Sequence, residues 1–372
     1  MKKAVIFAAT NPRGSLMSDI LRRAGYEPEA VAAGNGETGR NPSDRSAPAG
    51  PYDPETDIRI SRADLLAVAG KAARHEALAA AVARGISLRR AYGIRRPLNT
   101  IVFANRPGAA AELQKEVGRF LDPAAGEYAL RHAGFADGFG GRELWEPVSP
   151  DAGPAPELAA DRSALMAPFP DIPGMELAAD AAGYAARRSY ILLTGEAVAA
   201  YTGFLRGHAT VSDCMKDALV RRTAVRAMRE SASALTGGPL PDELREYAEA
   251  TVRRLADPRR GRPVETVCRN PLHKLSPDER LAAPAARAWR AGLPYEGLAL
   301  GIAAALRYDN PSDPESARML GMTAAAPIRT AASEITGIDA GSGLMDAVAS
   351  AYRSAPYLYG RVPETVAGPE TV

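Results

Sequence analysis

The stretch RSYILLTGEAVAAYTG, residues 188–203, sets two charged side chains, Arg188 and Glu196, into an apolar helical pattern. On a helix turning about 100° per residue, offsets of 0, +5 and +8 fall on one face, so Arg188, Leu193 and Glu196 converge on one surface. A carboxylate there is a candidate proton-transfer base, and an arginine is a candidate clamp for an anion. The plainer alternative is an ion pair between the two, two helical turns apart and weak if solvated. Cys214 and Cys268 form neither a CxxC nor a metal-type cluster with the histidines. No metal site is expected, and the thiols read as buried and reduced.

The elements that must position these residues change character along the chain. KAVIFAA (3–9) is a short strand-like run, followed by the turn TNPRG and the amphipathic stretch SLMSDILRRAG (15–25). Strand, turn and helix in that order begin a dinucleotide-binding fold. Residues 35–57 are dense in Gly, Pro, Ser and charge, have no period, and read as a long irregular loop. DLLAVAG (64–70) and NTIVFAN (99–105) read as buried strands flanking an Ala-rich helix, 75–93. A Pro-rich passage, 145–157, marks the approach to a boundary, and from Asp180 the pattern is helical, broken at 237–238, 257–263 and 310–314. The expected architecture is an α/β Rossmann-like domain over residues 1–160 and an all-α C-terminal domain over residues 161–372.

Composition excludes several classes of function. The chain has 372 residues, 46% hydrophobic and 24% charged, enough for two domains with cores of their own. Lys and Arg number 46 against 44 Asp and Glu, a formal net charge of +2, so no global field points to nucleic acid or to a membrane surface. The first apolar run is too short for a signal peptide, and no segment approaches the roughly 20 apolar residues that span a bilayer. A soluble, cytoplasmic protein is expected.

Several segments resemble the bacterial mannitol-1-phosphate 5-dehydrogenases, polyol-specific long-chain dehydrogenases. They are PDIPGMEL (170–177), the helix at 188–203, RGHATVSDCMKDAL (206–219), CRNPLHKLSPDERLAAP (268–284) and AGLPYEGLALGIAAALRY (291–308). The resemblance implies a Rossmann domain that binds NAD, followed by a helical domain that binds a polyol phosphate. It also implies a catalytic pattern K-x4-N-x2-H. The lysine is the acid–base group for the alcohol proton, and the asparagine and histidine polarise the oxygen that becomes a carbonyl. In this chain those positions are Arg188, Leu193 and Glu196. Arginine does not give up its proton near neutral pH, leucine has no polar atom, and glutamate puts negative charge beside a developing oxyanion. Ala104 stands at the family's glutamate in NTIVFANRP. Arg269 and Lys274 match the segment that faces the polyol-phosphate pocket, with His273 and Thr266 in place of arginines; His208 and Tyr201 also match. Ordinary alternatives stand beside these assignments: Arg269 and Lys274 paired with surface acids, His208 capping a helix.

The family's glycine-rich turn, a GxGxxGRG pattern, falls on Ala8, Thr10 and Arg13, with Pro12 removing an N–H. The strand that would end in the ribose-binding acid offers Ala32. No cofactor is therefore expected, although the family's is NAD. The expected function is that of a mannitol-1-phosphate-dehydrogenase-like pseudoenzyme that has lost NAD-dependent hydride transfer. It would survive by binding a small anionic metabolite, through Arg269, Lys274, His273 and His208, or a protein partner. One alternative is a cofactor-independent isomerase, lyase or hydrolase using Glu196 and Arg188. Another is a divergent oxidoreductase with altered cofactor use.

Overall fold

The structure, a computed structural model, describes residues 2–8, 15–32, 54–69, 76–104, 106–145 and 157–360. The chain divides into two compact units, Met1–Ala185 and Ala186–Val372.

The first unit is built on a seven-stranded sheet. Its elements run β1 (Lys2–Ala8), α1 (Leu16–Arg23), β2 (Tyr26–Ala32), α2 (Pro54–Arg62), β3 (Leu65–Ala69), α3 (Glu76–Ala91), β4 (Leu98–Phe103), α4 (Ala109–Gly118), α5 (Pro123–His132), β5 (Ala133–Phe139), β6 (Leu158–Asp161) and β7 (Met175–Ala178). The strand order is β2-β1-β3-β4-β5-β6-β7, parallel throughout except between β5 and β6. The central strands read as unbroken apolar runs because both faces are covered, as parallel sheets require. Alternation is preserved underneath: Ala4, Ile6, Leu65, Ala67 and Ile101 pack on one face with Met17 and Leu21 of α1. Val5, Phe7, Leu66, Val68 and Val102 pack on the other with Ile60, Leu78, Val82 and Leu113 from α2, α3 and α4.

One buried cation ties this unit together. Arg89 on α3 has no exposed surface. Its Nη1 donates to the carbonyls of Ser61 and Ala63 at 2.9 and 2.6 Å, and its Nη2 donates to the Arg96 carbonyl at 2.5 Å. It thereby locks the chain entering β3 and β4 to the helix between them.

In the second unit α6 (Ala181–Arg187), which begins at the end of the first unit, runs into a π-helical stretch, Arg188–Leu193, and on into α7 (Thr194–Leu205). There follow α8 (Val211–Lys216), α9 (Ala218–Thr236), α10 (Asp242–Leu255), α11 (Val264–Cys268), α12 (Pro271–Leu275), α13 (Ala282–Arg290), α14 (Glu296–Ala305), α15 (Pro314–Ala325), α16 (Ile328–Thr336) and α17 (Gly343–Tyr359). α7 and α14 form the centre and are buried nearly all round, so they lack the polar face of a surface helix. They approach closely where Gly301 lies against Val198: a Cβ there would fall 2.5 Å from Val198 Cγ2.

The α/β-then-helical architecture expected from the sequence is present, with two corrections. The division falls at 185/186 rather than 160/161, because β6 and β7 add to the sheet of the first unit. The irregular loop expected over 35–57 ends sooner, since 54–57 are the first turn of α2. Proline is preorganised for that position, and Glu55 and Asp57 suit the helix N-terminus. The rest of that loop lies outside the described residues. The three breaks in the helical pattern hold: left-handed Gly237 ends α9, Pro258–Arg260 forms a short turn, and Asp313 caps α15. Among the described residues no helix is long and apolar enough to cross a membrane.

Candidate functional site

Glu196 lies in the first turn of α7 and is buried. Its Oε1 accepts a hydrogen bond from Arg262 Nη1 at 2.6 Å. Arg262 is delivered by a short pairing of two loops: Val211 N donates to the Arg262 carbonyl at 3.0 Å, and Val264 N to the Ala209 carbonyl at 2.9 Å. Arg188, the expected partner of Glu196, opens the π-helical stretch and is buried. The ion pair seen at Glu196 is thus with Arg262. The physical reason lies in the π turn: its wider i→i+5 winding breaks the 100° arithmetic that set Arg188 above Glu196. Thr194 anchors the turn, its Oγ1 donating to the Arg280 carbonyl at 2.7 Å with the Ser189 carbonyl a second acceptor at 3.1 Å. Leu193 packs at the edge of the apolar core.

Lys274 is the most perturbed cation of this unit. It sits on α12, whose entry is turned by Asn270 in the left-handed region, φ 58°, with Asn270 N donating to Asp313 Oδ2 at 2.9 Å. Lys274 Nζ donates to the Arg269 carbonyl. Burial pushes its ammonium down to about 8, the Arg280 guanidinium helps, and the Glu196 and Asp313 carboxylates oppose. Lys274, Arg280, Glu196 and Asp313 therefore share one electrostatic neighbourhood, with Arg262 joined to it through Glu196. A lysine in that range accepts or gives a proton near neutral pH, and the two arginines are suited to hold an oxyanion.

The other residues singled out from the sequence are more dispersed. Arg269 is exposed at the end of α11 and contributes its carbonyl to Lys274. His273 is exposed, with Nε2 3.4 Å from Glu279 Oε1. His208 is held by Asp217: its Nε2 lies 3.2 Å from Asp217 Oδ2. Asp217 also accepts from Arg206 Nε and caps α9 through Leu219 N and Val220 N. His208 thus serves the helix cap, the ordinary alternative considered for it. Tyr201 is fully buried and donates its hydroxyl to the Cys268 carbonyl at 2.9 Å. Burial holds the phenol well above its usual range, so it is a structural donor. Burial likewise raises both thiols, Cys214 to about 12. Among the described residues no group of three His, Cys, Asp or Glu is arranged to hold a metal ion. Sequence reasoning missed Arg262 and Arg280. Arg262 sits in a segment legible only as a break, and Arg280 in the matched string SPDERL, where nothing in the spacing set it apart.

A largely parallel sheet whose order turns back at β1 is followed in the chain by an all-helical unit with charged groups around a central helix. Residues 180–353 match the family model of the mannitol dehydrogenase C-terminal domain. The fold is similar to that of Pseudomonas fluorescens mannitol 2-dehydrogenase, solved as a ternary complex with NAD and D-mannitol. Identity is 15%, coverage 95% of this chain and 91% of that one, and the TM-score 0.66. It is likewise similar to a substrate-free D-sorbitol dehydrogenase, at 14% identity, 94% and 92% coverage and a TM-score of 0.67. Residues 180–353 thus carry a mannitol dehydrogenase C-terminal domain, and the chain as a whole shares the fold of the two solved dehydrogenases.

The expectation that no cofactor is bound is corrected by these findings. The fold similar to this one over nearly its whole length is solved with NAD in place. The residues that are described fit a dinucleotide: β1 and β3 flank the point where strand order reverses, where such ligands bind. Both strands end in alanines, Ala8 and Ala69, whose small side chains leave the backbone approachable. The turn containing Thr10, Pro12 and Arg13 lies outside the described residues.

Proposed function

We propose that this chain is a mannitol-dehydrogenase-like protein that binds a small polyol- or sugar-phosphate-like anion in its helical domain. In this reading it no longer moves the alcohol proton with the Lys–Asn–His trio. The observation that carries the proposal is the fate of Glu196: at the position of the polarising histidine stands a buried carboxylate engaged by Arg262. A negative charge there opposes an alkoxide, and Arg188 is no proton acceptor near neutral pH. The cations Lys274, Arg262 and Arg280 remain in the same neighbourhood and suit a phosphate.

NAD, as in the solved mannitol 2-dehydrogenase, is the dinucleotide proposed for the first unit, next to Ala8 and Ala69; when bound it would supply a hydride acceptor. The test is calorimetric titration of mannitol 1-phosphate and fructose 6-phosphate, with and without NADH, on the wild type and on Lys274→Ala. Sugar-phosphate binding weakened about tenfold or more in Lys274→Ala, with no turnover, is the expected result. Binding unaffected by the substitution would overturn the proposal.

A second reading is favoured by the setting of Lys274, whose burial pushes its ammonium down to about 8. There Lys274 replaces the missing lysine as proton acceptor in a divergent oxidoreductase. It requires NAD-dependent oxidation of mannitol 1-phosphate that rises with pH to a plateau above about 8, as the ammonium gives up its proton, and vanishes in Lys274→Met.

A further inference from the structure

The outward face of α9 carries Arg221, Arg222, Arg226 and Arg229, all exposed. At about 100° per residue these positions fall within an arc of about 140°. With Ala218, Val225, Glu230 and Pro294 they line an open groove of about 660 Å³, in which, among the described residues, Glu230 is the one acid. The opposite face of the helix, including Val220, Ala224, Ala227 and Met228, is locked into the core, so the arginines cannot be turned elsewhere without unpacking the unit.

The neighbouring acids are spoken for. Arg226 Nε donates to Glu230 Oε1 at 2.8 Å and its Nη2 to Glu296 Oε2 at 2.6 Å. Glu230 is buried and also accepts from Gly297 N and Leu298 N, which caps α14. Asp217, at the head of α9, is taken by Arg206 and His208. Among the described residues Arg221, Arg222 and Arg229 have no ion pair. Cations three and four residues apart on a helix repel one another, a standing penalty that an anion in the groove would reverse.

We propose that this groove binds a small polyanion bearing two or more phosphate groups. It shares no residue with the Lys274 cluster. Arg222 and Arg229 are seven residues apart, about 10 Å along the helix, the reach of a short phosphate chain. Guanidinium groups meet phosphate oxygens two at a time, which is how exposed arginines gain selectivity for this chemistry. A nucleic-acid polymer is the poorer fit, because the chain's formal net charge of +2 supplies no field beyond the groove.

The test is calorimetric titration of the full-length protein with inorganic tripolyphosphate. It compares the wild type with Arg222→Glu/Arg229→Glu, the milder Arg222→Gln/Arg229→Gln, and Lys274→Ala, with circular dichroism confirming each fold. Expected are binding to the wild type that weakens with salt, unchanged affinity in Lys274→Ala, and a loss of about tenfold or more in both arginine double variants. No binding to the wild type, binding that survives the double substitutions, or binding lost with Lys274→Ala would overturn the proposal. So would tighter binding of a single-stranded oligonucleotide than of tripolyphosphate at about 150 mM salt.

Discussion

Glu196 shows how a buried carboxylate is accommodated by its surroundings. The buried carboxylate is stable because Arg262 reaches it at 2.6 Å. Removing the cation alone strands the charge, whereas neutralising both ends removes the liability. Arg262→Ala is therefore expected to destabilise the protein by about 1–3 kcal/mol in urea unfolding, the lower part of the range reflecting the half-exposed arginine. Glu196→Gln added to Arg262→Ala should recover most of that loss. A double variant no better than the single would show that the pair is not coupled. Arg188, Leu193 and Glu196 could be placed on one helix face from spacing, while their comparison with the family's catalytic trio came only from the resemblance. Arg262 could not, because its approach depends on two loops pairing across 209–211 and 262–264, which no local pattern reveals.

At the level of elements, the caps and the π turn decide what sequence spacing only suggests. Thr194 fixes the π turn to the Arg280 backbone. Thr194→Val, close in shape but without a donor, should lose about 1 kcal/mol by chemical unfolding and weaken sugar-phosphate binding through displacement of Arg280. A variant with unaltered stability and affinity would mean the turn holds without that hydroxyl. The cap of α9 carries a pH signature. Burial raises the Asp217 carboxyl, but Val220 N, His208, Arg206 and Leu219 N outweigh it and hold it at about 2, against an ordinary 3.8. A depressed carboxyl stabilises the folded state fully above its unfolded value and loses that contribution as pH falls through the folded one. Acid unfolding of the wild type should therefore show a stability loss between about pH 4 and 2 that is diminished in Asp217→Asn. Equal acid profiles for the two proteins would remove Asp217 from the account. β1, β3 and β4 were legible as apolar runs, and the helical pattern after Asp180 as three- and four-residue recurrence. β6 and β7 were not, being four residues each. So short a run sets up too little alternation to separate it from a loop.

Across the whole molecule, stability in the first unit concentrates on a residue that composition makes look ordinary. Arg89 is one half of the Arg-Arg pair at 89–90, yet it is fully buried and satisfies three carbonyls from two other segments. Arg89→Met keeps the length of the side chain but leaves those carbonyls without their donor. It is expected to cost about 3 kcal/mol or more in urea unfolding. A loss below about 1 kcal/mol would show that water replaces the guanidinium.

Two things were determined by the sequence alone: the order of an α/β unit before a helical one, and the presence of two charged residues, Arg188 and Glu196, in an otherwise apolar helical stretch. Both depend on residue type and local period, which are properties of the chain itself. The tertiary structure decided which charges meet. It gave Glu196 to Arg262 and His208 to Asp217, set Lys274 within the field of Arg280, buried Arg89, and left the arginines of α9 facing outward. Such pairings join residues distant in sequence through packing and desolvation, so they exist only once the chain has folded.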